Sequence, residues 1–226
     1  MVMQLEKVVP FGRSLDEYRK MFNLSESDLR KNILGVGDGP ASFNAEATQI
    51  GAKIISIDPI YQFTSSEIRQ RFDEVVDNII AQVKATPNDW VWSYHQSPDE
   101  LKKNRVRAIE LFIQDFDRGK QKRRYQIGEL PKLNFPDARF DLALCSHFLF
   151  LYSDFYDYQF HYDSIQEMLR VSKEIRIFPL LTLMLKRSPY LTQIIEDFKT
   201  IGYQVSIEKV QYELQKGGNE MLVIQR

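Results

Sequence analysis

The sequence predicts an α/β protein built on a doubly wound, mostly parallel sheet, and three observations carry that expectation. Two apolar runs, "NILGV" and "AKIISID", are joined by a glycine-rich turn and a helical stretch within about thirty residues, the spacing of a βαβ unit. Strand-like and helix-like segments alternate again from Arg124 onward. The chain closes on two more strand-like runs around "QKGGN", a terminal hairpin.

Each element has a local reason. Ser14 followed three positions later by Glu17 is a capping box that opens the helix "SLDEYRKMF", with "LSESDLRK" after it. "NILGV" is a buried strand, "ASFNAEATQIG" a helix stopped by Gly51, and "AKIISID" a second strand ending on Asp58. From Tyr61 to Arg124 no strand is evident. Thr64 and Glu67 form another capping box, and Ile68, Phe72, Val75, Val76, Ile79, Ile80 and Val83 follow at helical spacing until "TPND". After the aromatic knot "WVWSYH", Ser97 caps a helix with Pro98 at its first position and a stripe of Leu101, Val106, Ile109, Ile113 and Phe116. Residues 61–124 therefore form a helical insertion, a possible lid, within one domain spanning 1–226. "RYQIG" and the apolar part of "FDLALCSHFLFL" are the next strands. "SIQEMLRVS" is a helix, "KEIRIFPL" a strand, and "YLTQIIEDFKTIGY" a helix closed by Gly202. "YQVSIEKVQYEL" and "EMLVIQR" make the hairpin.

Composition narrows the class. Among 226 residues, 43% are hydrophobic and 27% charged, which suits a globular fold. A net charge of −1 argues against a coat for nucleic acid. Cys145 is the single cysteine, so neither an internal disulfide nor a cysteine-built zinc site is available. Glu6 and Lys7 interrupt the first residues, unlike a signal peptide, and "IFPLLTLML" is too short to span a bilayer, so a cytoplasmic location is expected.

The stretch "ILGVGDGPASF" places Gly35, Gly37 and Gly39 directly after the first strand. Glycine is useful where backbone turns sharply or approaches a ligand closely. A dinucleotide site wants G-x-G-x-x-G. Counting from Gly35 the sixth position is Pro40, and from Gly37 it is Ser42, so the third glycine is missing in either register.

These residues resemble the class I S-adenosylmethionine-dependent methyltransferases, over nearly the whole chain outside the insertion. That family's first motif reads acidic-x-G-x-G-x-G, and Gly37-Asp38-Gly39 is similar to its centre. Asp58 stands nineteen residues after Gly39, at the end of the second strand, where the family keeps an acid. "ELPKLNFPDARFD" resembles the third motif with Glu129 as its acid, and "EMLRVSKEIRIFPL" resembles the helix and fifth strand. The resemblance implies seven strands in the order 3-2-1-4-5-7-6 with the last antiparallel, and S-adenosyl-L-methionine as cofactor. Two positions depart from the pattern: Gly35 stands where the leading acid belongs and Ala41 where the third glycine belongs. The departure implies that Asp38 or an N-terminal residue anchors the methionine ammonium.

On this reading Gly35, Gly37, Asp38 and Gly39 face the methionine portion, and Asp58 with Pro59 the ribose. Glu129 and Leu130 would face the adenine, and Ser146 would lie beside the cofactor. As a turn former before Pro59, Asp58 also suits a plain helix cap, and Glu129 a solvated loop. His147 falls at the carboxyl end of the fourth strand, where a neutral imidazole could take a proton from an oxygen or nitrogen nucleophile; contact with cofactor or a capping role is the alternative. Arg13 and Tyr18 are candidates to fold over the cofactor carboxylate. Eight of the fifteen residues from Phe148 to Tyr162 are aromatic, a loop suited to an apolar substrate pocket or to packing. His161 and Asp163 are ambiguous, as is the "KGGN" turn. The strand-four end lacks "N-P-P-Y", which disfavours adenine or glutamine methylation. "LKKNRVR" and "RGKQKRRY" give the insertion basic clusters, which could touch RNA but are more simply solvated. The expected activity is methyl transfer to a small-molecule nucleophile. The alternatives are a non-catalytic cofactor-binding scaffold and an RNA methyltransferase using the basic insertion.

Overall fold

The computed structural model describes residues 9–226. Glu6 and Lys7, on which the signal-peptide expectation turned, lie outside the described residues. Seven strands form one sheet: β1 (Asn32–Val36), β2 (Lys53–Ile57), β3 (Tyr125–Gln126), β4 (Phe140–Ser146), β5 (Ser172–Phe178), β6 (Gln204–Lys209) and β7 (Glu220–Gln225). Their order is β3-β2-β1-β4-β5-β7-β6, with β7 antiparallel to both neighbours and the other pairings parallel. Six α-helices among the described residues surround it: α1 (Leu15–Met21), α2 (Phe43–Gln49), α3 (Ser65–Ala85), α4 (Pro98–Gln121), α5 (Tyr158–Val171) and α6 (Leu191–Thr200).

The capping boxes of Ser14 with Glu17 and of Thr64 with Glu67 start α1 and α3 as expected. Ser97 caps α4 through the Glu100 amide. One face of the sheet buries Leu34, Val36, Ala143, Cys145 and Ile175 against α5 and α6, and the other buries Ile33, Ile54, Leu142 and Leu144 against α1 and α2. The insertion has its own apolar seam, where Ile68, Phe72, Val76 and Ile79 of α3 meet Leu101, Ile109, Phe112 and Phe116 of α4, with Phe11 and Tyr125 tying it to the body.

Three boundaries differ from the sequence reading. α5 begins at Tyr158, because Asp157 accepts the Phe160 amide as a cap, so the last aromatics of the 148–162 run are helical. β3 is only two residues long. β6 stops at Lys209, and residues 210–219 form a longer connection than a tight hairpin turn. Because β1, β2, β4 and β5 run parallel, their carboxyl ends share one edge, and the 210–219 connection joins them there. No helix among the described residues is long and apolar enough to cross a membrane.

Candidate active site

An open crevice of about 1040 Å³ runs along that edge. Its walls include Gly37, Asp38, Gly39, Asp58, Pro59, Glu129, Leu130, Ser146 and His147, so nine of the ten predicted site residues line one space. The exception is Gly35, which lies beneath it.

Gly35 is explained by Asp38. A Cβ built on Gly35 would fall 1.8 Å from Asp38 Oδ2, so the Asp38 carboxylate fills the volume that a side chain at position 35 would occupy. The acid missing from the head of the motif is supplied from three residues further along, and glycine at 35 is what admits it. Asp38 accepts from the Tyr18 hydroxyl at 2.7 Å and the Ser56 hydroxyl at 2.6 Å. Burial, with a smaller push from Asp58, outweighs those bonds and raises its pKa to about 7. Tyr18 thus acts from below the turn, on Asp38, and does not reach over the crevice as the sequence suggested.

The rest of the turn is held just as fully. Gly37 and Gly39 sit at φ +65° and +54°, a left-handed region that favours glycine. The Gly37 amide donates to the Ile57 carbonyl at 3.0 Å, and the Gly39 carbonyl accepts from the Tyr61 hydroxyl at 2.7 Å. A Cβ on Gly37 would press on the Phe148 ring at 3.2 Å. Asp58 takes the Gly39 amide on one carboxylate oxygen and the Ile60 amide on the other, each at 2.8 Å. It is therefore the cap of the turn at Pro59–Gln62 that its alternative reading required. Each oxygen still keeps a lone pair toward the crevice. Burial first, then Glu129, raises its pKa to about 6. Glu129 is exposed at the crevice rim and Leu130 is buried beside it.

His147 stands where the crevice turns inward, at φ +52°, with its amide bonded to the Phe178 carbonyl at 2.6 Å. Its Nδ1 lies 3.0 Å from the Ser146 hydroxyl. With Asp38 ionised, Tyr18 gives its proton to Asp38, Ser146 can donate to the Tyr18 oxygen and accept from His147 Nδ1–H, and the Nε2 lone pair is then free. Burial, followed by the fields of Arg13 and Arg105, holds the His147 pKa well below its usual value.

Behind His147 lies a second, narrower chamber of about 80 Å³, which shares Val9, Phe11, Arg13, Ile79 and His147 with the crevice. Its other walls are mostly apolar, among them Val83, Trp90, Leu101, Leu151, Phe178 and Leu214. Arg105 also lines it. The sequence reading placed Arg105 in a solvated basic cluster, but the residue is 1% exposed. It makes a two-pronged pair with Glu17 at 2.9 and 2.7 Å, joined by Tyr212 and His95. Its spacing gave it away: Arg105 lies four residues after Leu101 and four before Ile109, on the buried stripe. Among the remaining ambiguous residues, His161 is a core histidine bonded to the Asp157 and Leu149 carbonyls, and Asp163 accepts from Gln159 at the surface. Within the "KGGN" turn, Gly218 lines the chamber.

No family model matches the chain. It is 39% identical over 225 residues to the uncharacterized protein MJ0045 of Methanocaldococcus jannaschii, covering 99% of both. The chain belongs to that protein's family. Among solved structures it is similar to the methyltransferase domain of bacterial CtHen1-CN (TM-score 0.51, 10% identity, 94% of this chain and 100% of that one). It is also similar to the mitomycin 7-O-methyltransferase MmcR (TM-score 0.51, 11% identity, 94% of this chain and 53% of that one). At such identities the likeness establishes the fold, which is that of the class I S-adenosylmethionine-dependent methyltransferases.

Proposed function

We propose that the protein is an S-adenosylmethionine-dependent methyltransferase acting on an oxygen or nitrogen of a small molecule. The observation that carries the reading is a preorganised glycine turn with two acids, adjoining at His147 a narrower, mostly apolar chamber. The residues present fit the cofactor: the space above Gly39 is open save for the Asp58 carboxylate, and both acids have acceptor capacity left. Asp58 would receive the ribose hydroxyls, Asp38 the ammonium, and Glu129 the adenine amino group.

S-adenosylmethionine supplies a methyl group on cationic sulfur, and the sulfur keeps the electron pair of the broken bond. Ser146 and Tyr18 hold the His147 ring so that Nε2 can take the proton from the acceptor's O–H or N–H. The aromatic walls exclude water from that exchange. α3 contributes Glu74, Val75, Asn78 and Ile79 to the crevice wall, so the 61–124 insertion serves as the lid.

A small acceptor is favoured over RNA because several of the insertion's cations are engaged within the protein, although Arg107, Lys122 and Arg123 stay exposed. Lys102 pairs with Asp77, Lys103 with Glu100, Arg105 with Glu17, and Arg124 with Asp115. Retention of an acid in the leading motif position favours a working enzyme over a scaffold. Calorimetry with S-adenosylmethionine and S-adenosylhomocysteine tests the cofactor, and methyl incorporation into cell-extract small molecules tests the transfer. The Asp58→Ala variant should abolish that incorporation. Binding without transfer across broad extracts would leave only the scaffold.

A further inference from the structure

The chamber's charge is unbalanced. Arg105 is matched by Glu17, but Arg13, at the doorway between chamber and crevice, has no carboxylate partner among the described residues. One Arg13 Nη group donates to the Phe11 carbonyl, and Nε is buried with no partner among the described residues. His95 and His147 are held toward their neutral forms, so they cannot be the source of the excess charge, nor can they relieve it. A guanidinium placed among apolar walls without a counter-ion is costly, and the cost is met when an anion binds. The cofactor does not remove the excess. Its amino-acid end is a zwitterion and its sulfur is cationic, so it brings one net positive charge.

We propose that the acceptor is a small carboxylic acid with a compact apolar body. Its carboxylate sits on Arg13, and a hydroxyl or amino group close to that carboxylate faces His147. The inference rests on the methyltransferase reading for its reaction, though not for its ligand. Three observations converge on it. Arg13 and His147 line the same doorway, so the charged and reacting groups lie on one edge of the ligand. The chamber behind them is apolar and, at about 80 Å³, admits only a few carbons unless α3 shifts outward. Arg13 also depresses the basicity of His147, and a bound carboxylate would cancel that field and make Nε2 a better proton acceptor. The molecule is thus acidic where it would hold the cofactor and basic where it would hold the acceptor.

The test uses the full-length protein with S-adenosylhomocysteine bound. Calorimetry compares 2-hydroxy-3-methylbutanoate, salicylate and 4-hydroxybenzoate, each against its own carboxamide. 2-Hydroxy-3-methylbutanoate or salicylate should bind tenfold or more tightly than its amide, and more tightly than 4-hydroxybenzoate, whose hydroxyl lies far from its carboxylate. The Arg13→Gln variant should erase that preference while leaving S-adenosylhomocysteine affinity within threefold. Equal or better binding of all three amides overturns the proposal, as does failure of every acid to bind below 10 mM. A tenfold loss of S-adenosylhomocysteine affinity in Arg13→Gln, with acid preference intact, also overturns it, because Arg13 would then serve the cofactor carboxylate. The acid–amide comparison needs no variant, so it stands even if Arg13→Gln misfolds. If S-adenosylhomocysteine itself fails to bind, the methyltransferase reading falls alone. The same comparison on the cofactor-free protein then still decides the anion site.

Discussion

The two ends of the site are built on different principles. At the crevice end, Gly37, Asp38, Gly39 and Asp58 come from one βαβ unit, and backbone amides fix the Asp58 carboxylate. At the chamber end, Arg13, Arg105, His147 and Tyr212 arrive from four distant segments, and Arg105 and Tyr212 are held by side-chain bonds to each other and to Glu17. The first end is specified by local backbone geometry, the second by packing of the insertion against the body. A change at the crevice should therefore be felt mainly in binding, and a change at the chamber mainly in folding.

The largest effect expected is at the crevice. Asp58→Ala removes two charge-assisted hydrogen bonds to the ribose, about 3–6 kcal/mol together, which is about 10²- to 10⁴-fold in S-adenosylhomocysteine affinity by calorimetry. Its melting temperature should fall by much less, since only the short turn at Pro59–Gln62 loses its cap. At the chamber the pattern should reverse. Arg105→Met leaves the buried Glu17 carboxylate without its guanidinium, with Tyr212, His95 and Ser14 still against it, a cost of about 3–5 kcal/mol in denaturant unfolding. Burial pushes Glu17 up, but Arg105 and the bonds from His95 and Arg105 hold it well below the ordinary carboxylate range, and the variant loses most of that support. The double variant Glu17→Gln with Arg105→Met should recover a large part of the stability. If Arg105→Met unfolds no more easily than wild type, the chamber is not held together by this pair.

The same contrast governs what was legible in the sequence. Glycine turns, capping boxes and an acid ending the second strand are short-range patterns; they point to Gly37, Asp38, Gly39 and Asp58, apolar runs point to the strands, and Glu129, Leu130 and Ser146 come from the family resemblance. Arg105 was misread because its neighbours Lys102, Lys103 and Arg107 made a basic run, while its membership of the Leu101–Ile109 stripe was the better guide. Glu17 was recognised as a cap, and its second partner lies 88 residues away. No local pattern encodes a contact of that span. Gly35 departs from the motif, yet it is the residue that makes room for Asp38. Gly35→Ala should accordingly displace the Asp38 carboxylate, costing about 1–3 kcal/mol of stability and weakening cofactor binding. Gly35→Asp combined with Asp38→Gly returns the acid to the head of the motif and should restore binding relative to Gly35→Ala. Failure of that swap would mean that the two positions are not interchangeable seats for one carboxylate.

The smallest effect is also the most specific. Asp38 has a folded pKa of about 7 against an ordinary value of 3.8, so between those limits the native state holds a proton that the unfolded chain has released. Its contribution to stability is therefore complete below the unfolded value and is lost as pH rises through the folded one, at no more than about 1.4 kcal/mol per pH unit. Asp38→Asn does not titrate, so its melting temperature should improve relative to wild type from pH 5 to 7.5 and stay level above 8. The buried histidines titrate in both proteins and cancel in the difference. A bound ammonium group favours the ionised carboxylate, so saturating S-adenosylhomocysteine should flatten the pH dependence of that difference. A slope unchanged by the ligand would mean that Asp38 braces the glycine turn through Tyr18 and Ser56 without touching the cofactor, and the acid end of the site would then rest on Asp58 and Glu129.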